Sequence, residues 1–387
     1  MTLPEILPRR NCAIDGSSHL EPLHRFRDFP VYMGCTDDPP DRDPTHDMAW
    51  SICRDCGCIQ LAELVPLPIL YARSHNSGLV GGLWARHHEA FAEFILEHGP
   101  ASVLEVGAGH GILSIQVHRR RPGVEWVAVE PNPTPQPGCR ARFIRGFFPA
   151  DVEADLPVDA VVHSHFLEHL YEPRRFLADL GRFLAPGRLL IFSVPNMRVM
   201  LDRKYTNCLN FEHSYFLDEA AIDRLLAEAG FETVDRRPFL DDHSLFYAAR
   251  RTGEGVAVSG ASDGGPTANA YAANRAAYAA YLRHHEEEVA RLNAFMAAHD
   301  GEVFLFGAHV FSQYLFAFGL DQGRLAAVLD NDPAKQGRRL SGSRLSVTSP
   351  EVLRAARRPA VILKAGVYNQ EIRDDIVTRI NPETRFV

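Results

Sequence analysis

Three groups of residues in this sequence have types and spacings suited to chemistry. The first is Glu105-Val106-Gly107-Ala108-Gly109-His110-Gly111. Alternating glycines let a backbone turn sharply and approach a ligand where a Cβ would collide. Glu105 stands just before them. Glu130 ends the next apolar stretch, the position from which a carboxylate takes both hydroxyls of a ribose. A phosphate loop offers N–H groups at a helix start. An acid at the strand end repels phosphate instead and suits a cationic ligand. An ordinary nucleotide-binding turn is the alternative. The second group is Cys53-Arg54-Asp55-Cys56, a spacing that lets two thiolates grip one tetrahedral zinc ion. Cys12 is the best third ligand. Asp15, in Cys12-x-x-Asp15, is a candidate fourth, with His19, His24, Cys35 and Cys58 as rivals. The third group gathers histidine and acid: His163-Ser164-His165-Phe166-Leu167-Glu168-His169, and later Glu212-His213 among aromatics. Apolar walls there are expected to retune a carboxylate or imidazole towards neutrality.

The elements that must position these groups alternate. Strands are expected at 102–106, 124–129, 142–144, 159–163 and 188–194, with helices at 82–98, 112–119, 173–184 and about 217–230. That alternation predicts a doubly wound parallel sheet with ligand at the carboxyl ends of its strands. Phe147 and Phe148 follow the third strand, where an adenine would stack. Before this domain, residues 1–78 are rich in Pro, Asp, Cys and His and poor in periodic segments, so a metal staple is plausible. After it come a Gly/Ser/Ala linker, an Ala-rich helix over 269–299 and a second α/β unit from Val303, whose single glycine is too little for a phosphate loop. The expected domains are 1–78, 79–252 and 253–387. At 387 residues two or three domains are required. The net charge of −8 argues against broad nucleic-acid affinity. No apolar run reaches membrane-spanning length. Seven unevenly spaced cysteines suit metal or free thiols in the cytoplasm rather than disulfides.

The glycine loop with Glu130 resembles the first motif of class I S-adenosylmethionine (SAM)-dependent methyltransferases, a Rossmann-like α/β fold. Over nearly its whole length the chain resembles the nucleotide-linked deoxysugar C-methyltransferases. Cys53-Arg54-Asp55-Cys56-Gly57-Cys58-Ile59-Gln60-Leu61 is similar to that family's zinc-module signature, with Asp15 where the first pair's second cysteine stands. The run from Asp159 to His169 resembles its Asp-(apolar run)-His-x-Leu-Glu-His signature. Glu212-His213-Ser214-Tyr215-Phe216 matches Glu-His-x-x-Tyr-Phe, though Asn210 and Phe211 replace the family's preceding Tyr-x. Asp330-Asn331-Asp332-Pro333-Ala334-Lys335-Gln336-Gly337 matches a turn in its C-terminal domain, where Lys335 would meet a diphosphate. The resemblance implies SAM held by Glu105, Gly107, Gly109, Gly111, Glu130, Phe147 and His165. It implies zinc on Cys12, Cys53 and Cys56. It implies chemistry by His213 as base with Glu212, and by Tyr71 and His165 as oxyanion donors. The expected reaction is C-methylation of a nucleotide-linked keto-deoxysugar through an enolate. A sugar O-methyltransferase and a non-catalytic SAM-fold binding protein are the alternatives. No nucleic-acid or membrane partner is expected, and the chain would be a monomer or weak homodimer.

Overall fold

In a computed structural model the chain is described at residues 6–71, 82–241, 243–253, 255 and 266–387. The apolar runs of the middle region pair into a seven-stranded sheet in the order Phe231–Phe239, Ser244–Arg251, Leu189–Pro195, Ala160–Ser164, Ser102–Val106, Glu125–Glu130, Arg142–Arg145. Neighbouring strands run parallel except at Ser244–Arg251, which opposes both of its partners. The expected Rossmann-like α/β sheet is therefore present, but it is mixed rather than wholly parallel. The hairpin that makes it so was not anticipated. Its outer strand, at the sheet edge, has half-buried and exposed residues beyond Phe231 and lacks the continuous apolar run of a buried strand.

Alternation across each strand sorts its side chains to two faces. Val103, Trp126, Val162 and Ile191 face helix Gly82–Glu97, packing with Phe91, Phe94 and Ile95. Leu104, Val161, Leu190 and Phe192 face helices Pro173–Phe183 and Glu219–Glu228, packing with Leu177, Leu180 and Leu225. Both layers are thus closed by helices, and polar side chains collect at the strand ends.

The first region holds more regular structure than its composition suggested. Leu20–Pro30, Thr45–Cys53 and Ile59–Leu61 form an antiparallel sheet. Its apolar face, with Phe26, Trp50, Ile52 and Leu61, does not stand alone. It joins one core with Tyr215 and Phe216 of the middle region and Tyr278 and Tyr314 beyond it. Short strand 59–61 also continues the sheet onto the middle region through a bridge between Gln60 and Tyr215, with Phe216 N–H donating to the Ile59 carbonyl at 2.7 Å and Leu61 N–H to the Ser214 carbonyl at 2.9 Å.

Helix Pro266–Ala298 follows, and then a five-stranded parallel sheet centred on Val303–Phe306. Gly57 permits the helix to dock, since a Cβ there would lie 2.7 Å from the Ala270 backbone. Asn274 Nδ2 seals the junction by donating to the Gly57 carbonyl at 2.9 Å. Lys335 does not stand ready for a diphosphate. Its Nζ is 3.0 Å from Asp330 Oδ2, and that same oxygen accepts the Ala308 N–H at 2.9 Å, so the motif closes its own turn.

Candidate active site

The glycine loop leaves strand 102–106 and enters helix Ile112–Arg120. Gly107 and Gly111 have φ of 76° and 68°, in the left-handed region that disfavours a Cβ. At Gly107 a Cβ would also lie 2.8 Å from the Phe166 ring. Gly109, at φ 50°, has no protein atom within 4 Å of where its Cβ would be, so this face of the loop is open to a close ligand. Glu130 faces the loop. Its carboxylate accepts N–H bonds from Gly109 at 3.1 Å and Asn132 at 3.0 Å. Phe147 stands exposed just past strand 142–145, while Phe148 turns inward against Phe176 and Phe183.

Glu105 departs from expectation. Its carboxylate points into the helix-covered layer and accepts from Trp126 Nε1 at 2.8 Å, with 4% of the residue exposed. It is a buried acid on the face turned to helix 82–97, with Val103 of the same strand. Burial, joined by the charge of Glu130, pushes the carboxyl up to about 7 against the opposing effect of the Trp126 bond. An acid raised on folding costs stability as it ionises. Stability is full below about pH 4.3, the ordinary glutamate range, and declines as pH rises to about 7. Glu105→Gln keeps an acceptor for Trp126 and removes the titration. Relative to wild type it is expected to gain roughly 3 kcal/mol between pH 4 and pH 8. Urea unfolding across that range measures the gain, and a pH-independent difference would refute the reading.

The histidine–acid groups converge. Tyr71 Oη lies 2.9 Å from His169 Nδ1. His169 Nδ1 is 3.7 Å from Glu212 Oε2, and its Nε2 is 3.9 Å from Glu168 Oε1. The rings of His169 and His213 meet edge to face at 4.9 Å. Residues 210–216 are held by local bonds and by the first region. Asn210 Oδ1 accepts the N–H groups of Glu212 at 2.8 Å and His213 at 3.0 Å. Tyr215 Oη donates to the Leu167 carbonyl at 2.5 Å. Asn210, which on sequence looked like a lost tyrosine, thus builds the turn that carries the pair. The N-cap of the following helix is Asp218, which accepts from Ala221 N–H, so Glu212 and His213 are not spent on capping.

His213 is set up as a proton acceptor, though not at neutrality. Its Nδ1 lies 3.1 Å and 3.2 Å from the carbonyls of Asn207 and Cys208. Carbonyls only accept, so Nδ1 carries the proton and Nε2 keeps the lone pair. Burial first, then the neighbouring His169, hold the ring down at about 4. His165, expected as an oxyanion donor and cofactor contact, is engaged with other side chains. At φ 47° the chain turns its ring inward, with Nε2 2.9 Å from Ser244 Oγ and Nδ1 3.3 Å from Glu168 Oε1. His169 takes its place in the cluster. The motif Leu-Glu-His contained that residue, but sequence alone did not tell which histidine of the run joins the Tyr71–Glu212–His213 cluster. Glu168 is wholly buried. Burial alone would raise its carboxyl, but His165 first and then His169 and His213 hold it down at about 2.

The cysteine group also assembles. Ligand atoms of Cys12, Asp15, Cys53 and Cys56 all lie within 4.8 Å of one another. Cys12 and Cys56 sulfurs are 3.5 Å apart, and Cys53 Sγ is 3.6 Å from the Asp15 carboxylate. A tetrahedral zinc with bonds of about 2.3 Å to sulfur sets its ligands roughly 3.5–3.8 Å apart, so these residues fit the ion. Cys58 is not one of these four; it adjoins Cys12, with its sulfur directed at the carbonyls of Ile59 and Phe216. Cys35 packs near Ala308, and His19 pairs with Asp55. On their own the four groups resist ionising together: the Cys53 thiol is pushed up to about 12, first through its bond with Cys12.

Residues 81–236 match the family model of a methyltransferase domain, and residues 264–387 that of a C-methyltransferase C-terminal domain. A probable S-adenosylmethionine-dependent methyltransferase of Mycolicibacterium smegmatis is 31% identical over 161 residues, 39% of this chain and 60% of that protein. A similarly named protein of Mycobacterium tuberculosis is 30% identical over 160 residues, 39% of this chain and 56% of its own length. The chain thus spans less than two thirds of the length of these relatives. Among solved structures, the N-methyltransferase NodS of Bradyrhizobium japonicum aligns over 44% of this chain and 97% of its own, at 17% identity and a TM-score of 0.34. The plantazolicin methyltransferase BpumL aligns over 43% of this chain and 82% of its own, at 12% identity and a TM-score of 0.35. No helix among the described residues is long and apolar enough to cross a membrane.

Proposed function

We infer that this chain, with a methyltransferase domain followed by a C-methyltransferase C-terminal domain, is a SAM-dependent methyltransferase, and we propose that it methylates carbon. The substrate class that suits the site is a nucleotide-linked keto-deoxysugar. The match of residues 264–387 to a C-methyltransferase C-terminal domain carries the choice of carbon. The acceptor nitrogen of His213 beside the Tyr71–His169 pair supplies the chemistry. A ketone acidifies the C–H beside it. His213 Nε2 takes that proton as the C–H bond breaks, and the positive charge it gains lies within 4.8 Å of the Glu168 carboxylate. Tyr71, backed by His169, donates to the enolate oxygen. SAM, when bound, would supply an electrophilic methyl, which the enolate carbon would take as the methyl–sulfur bond breaks, restoring the ketone and leaving S-adenosylhomocysteine as the other product. Glu212 orients His169 or a sugar hydroxyl. Gly107, Gly109 and Gly111 would carry the cofactor, with Phe147 against its adenine.

Zinc on Cys12, Asp15, Cys53 and Cys56 would be structural, since four protein ligands leave no open position. The test of the reaction is a panel of nucleotide-linked keto-sugars incubated with SAM, the product mapped by carbon–proton NMR. A new methyl on the carbon beside the ketone is expected. A methyl on oxygen would replace this reading with a sugar O-methyltransferase.

Glu130 would hold the ribose hydroxyls of SAM. Glu130→Ala removes charge-assisted hydrogen bonds of roughly 1.5–3 kcal/mol. Cofactor affinity measured by calorimetry is expected to fall about one to two decades. An unchanged dissociation constant would place the ribose elsewhere.

A further inference from the structure

Behind the active-site cluster lies a second group of histidines that the proposed reaction does not use. We propose that His87, His165 and His243 form a metal site for a divalent first-row transition ion, zinc by default, separate from the cysteine group. The three come from different elements: helix 82–97, the turn after strand 160–164, and the residue before strand 244–251. They meet at the carboxyl edge of the sheet. Ligand nitrogens of the three rings lie within 4.8 Å of one another. Their ring centres are 5.1, 5.4 and 5.9 Å apart. Three imidazoles bound at about 2.0–2.1 Å to one ion set their ring centres roughly 5 Å apart, so closure needs only small side-chain shifts.

The tautomers favour an ion as well. His165 Nδ1 faces the Glu168 carboxylate at 3.3 Å. A lone pair there would repel the charge, so Nδ1 carries the proton and Nε2 turns its lone pair to the group. This is the carboxylate–histidine arrangement that orients metal-bound imidazoles. His165 Nε2 and His243 Nδ1 both converge on Ser244 Oγ, at 2.9 and 2.6 Å. The Ser244 hydroxyl bridges the two rings, donating to one and accepting from the other, and so holds them side by side. His87 is wholly buried. Its Nε2 lies 2.9 Å from Ser193 Oγ, and its Nδ1 has no hydrogen-bond partner among the described residues. Glu168 is wholly buried too, and the donors nearest it are imidazoles, His165 Nδ1 at 3.3 Å and His169 Nε2 at 3.9 Å. A divalent ion acting through His165 would balance that charge. Bound there, it would pin helix 82–97 to the strand edge and fix the carboxylate that also faces His169.

Cobalt substitution of the full chain tests this. Protein stripped with a chelator is titrated with Co²⁺ and followed by absorption and by elemental analysis. A cobalt equivalent with visible ligand-field bands but no thiolate-to-cobalt charge transfer is expected. It should vanish in His87→Phe and persist in Cys53→Ser. His87 belongs to this group alone, so survival of that equivalent in His87→Phe would overturn the site. X-ray absorption on wild-type protein reloaded with zinc needs no variant. Imidazole scattering from about three histidines at a second zinc supports the site. A zinc environment containing only the sulfur-and-carboxylate shell overturns it.

Discussion

Cys53→Ser is expected to remove about one zinc per chain and to abolish turnover, while SAM affinity stays close to that of the wild type. The reasoning begins with size. The first region shares its core with the rest of the chain, but its knuckles, Cys12 to Gly16 and Cys53 to Cys58, are short turns that bury Ala13 and Ile14 and otherwise mainly their own cysteines. Structural zinc in small modules binds with an apparent free energy of about 10–16 kcal/mol. That equals or exceeds the whole stability of a typical domain, about 5–15 kcal/mol. Losing one of four ligands therefore releases the knuckles.

The effect reaches the active site along a short path. Cys53 N–H donates to the Cys58 carbonyl, and strand 59–61 begins at the next residue. That strand bonds to Ser214 and Phe216, which flank Tyr215 and follow directly on Glu212 and His213. Gln60 also ties the two knuckles, its Oε1 accepting the Ala13 N–H at 2.8 Å. Among the described residues no such hydrogen bond runs from the knuckles to the glycine loop. Turnover and cofactor binding should therefore separate: in Cys53→Ser the first is lost and the second kept, measured by product formation and by calorimetry with SAM. Full activity in a zinc-free protein would show that the group is a set of buried thiols. A parallel loss of SAM affinity would show general unfolding instead.

What could be read from the sequence was local. The glycine loop, the strand before it and Glu130 follow from a run of adjacent residues, and the sheet forms where those runs lie. Asp15 was visible as a knuckle partner because Cys12-x-x-Asp15 mirrors Cys53-x-x-Cys56. The hairpin 231–251 was not visible, since its outer strand is half exposed and reads as neither a buried run nor a helix. His87 and His243 carry no spacing signal at all. They are 156 residues apart in number and meet only because a helix and a strand start at one edge of the sheet. The proton affinity of His213 was misread for a related reason. The sequence shows an imidazole beside aromatics, but the downward shift comes from burial and from His169, which the chain brings in from 44 positions away. Glu105 is the plainest case. Its place before the glycines suggested a ligand contact, and the pleat turns it the other way.

His213→Ala is expected to cut turnover by a factor of about 10² to 10⁴ with SAM still bound. An acceptor at about 4 is a weak base, yet it is unprotonated throughout the physiological range, and its lone pair is fixed by the carbonyls of Asn207 and Cys208. His213→Asn keeps a donor for those carbonyls and removes the base, so it should fall as far as alanine while leaving the loop intact. Tyr71→Phe deletes the donor to the enolate oxygen and leaves His169 without its phenol partner. Removing one such donor costs about 10² to 10³ in turnover. The decisive measurement separates proton abstraction from methyl transfer. With a keto-sugar, S-adenosylhomocysteine in place of SAM and deuterium oxide as solvent, the proton beside the ketone should exchange in wild-type protein. Exchange should fail in both His213 variants and slow in Tyr71→Phe. Exchange that persists without His213 would move the base to Glu212 or His169, the remaining titratable groups of the cluster nearest the Tyr71 hydroxyl. Absence of exchange in wild type, with methyl transfer intact, would mean that no enolate forms and that the methyl goes to oxygen.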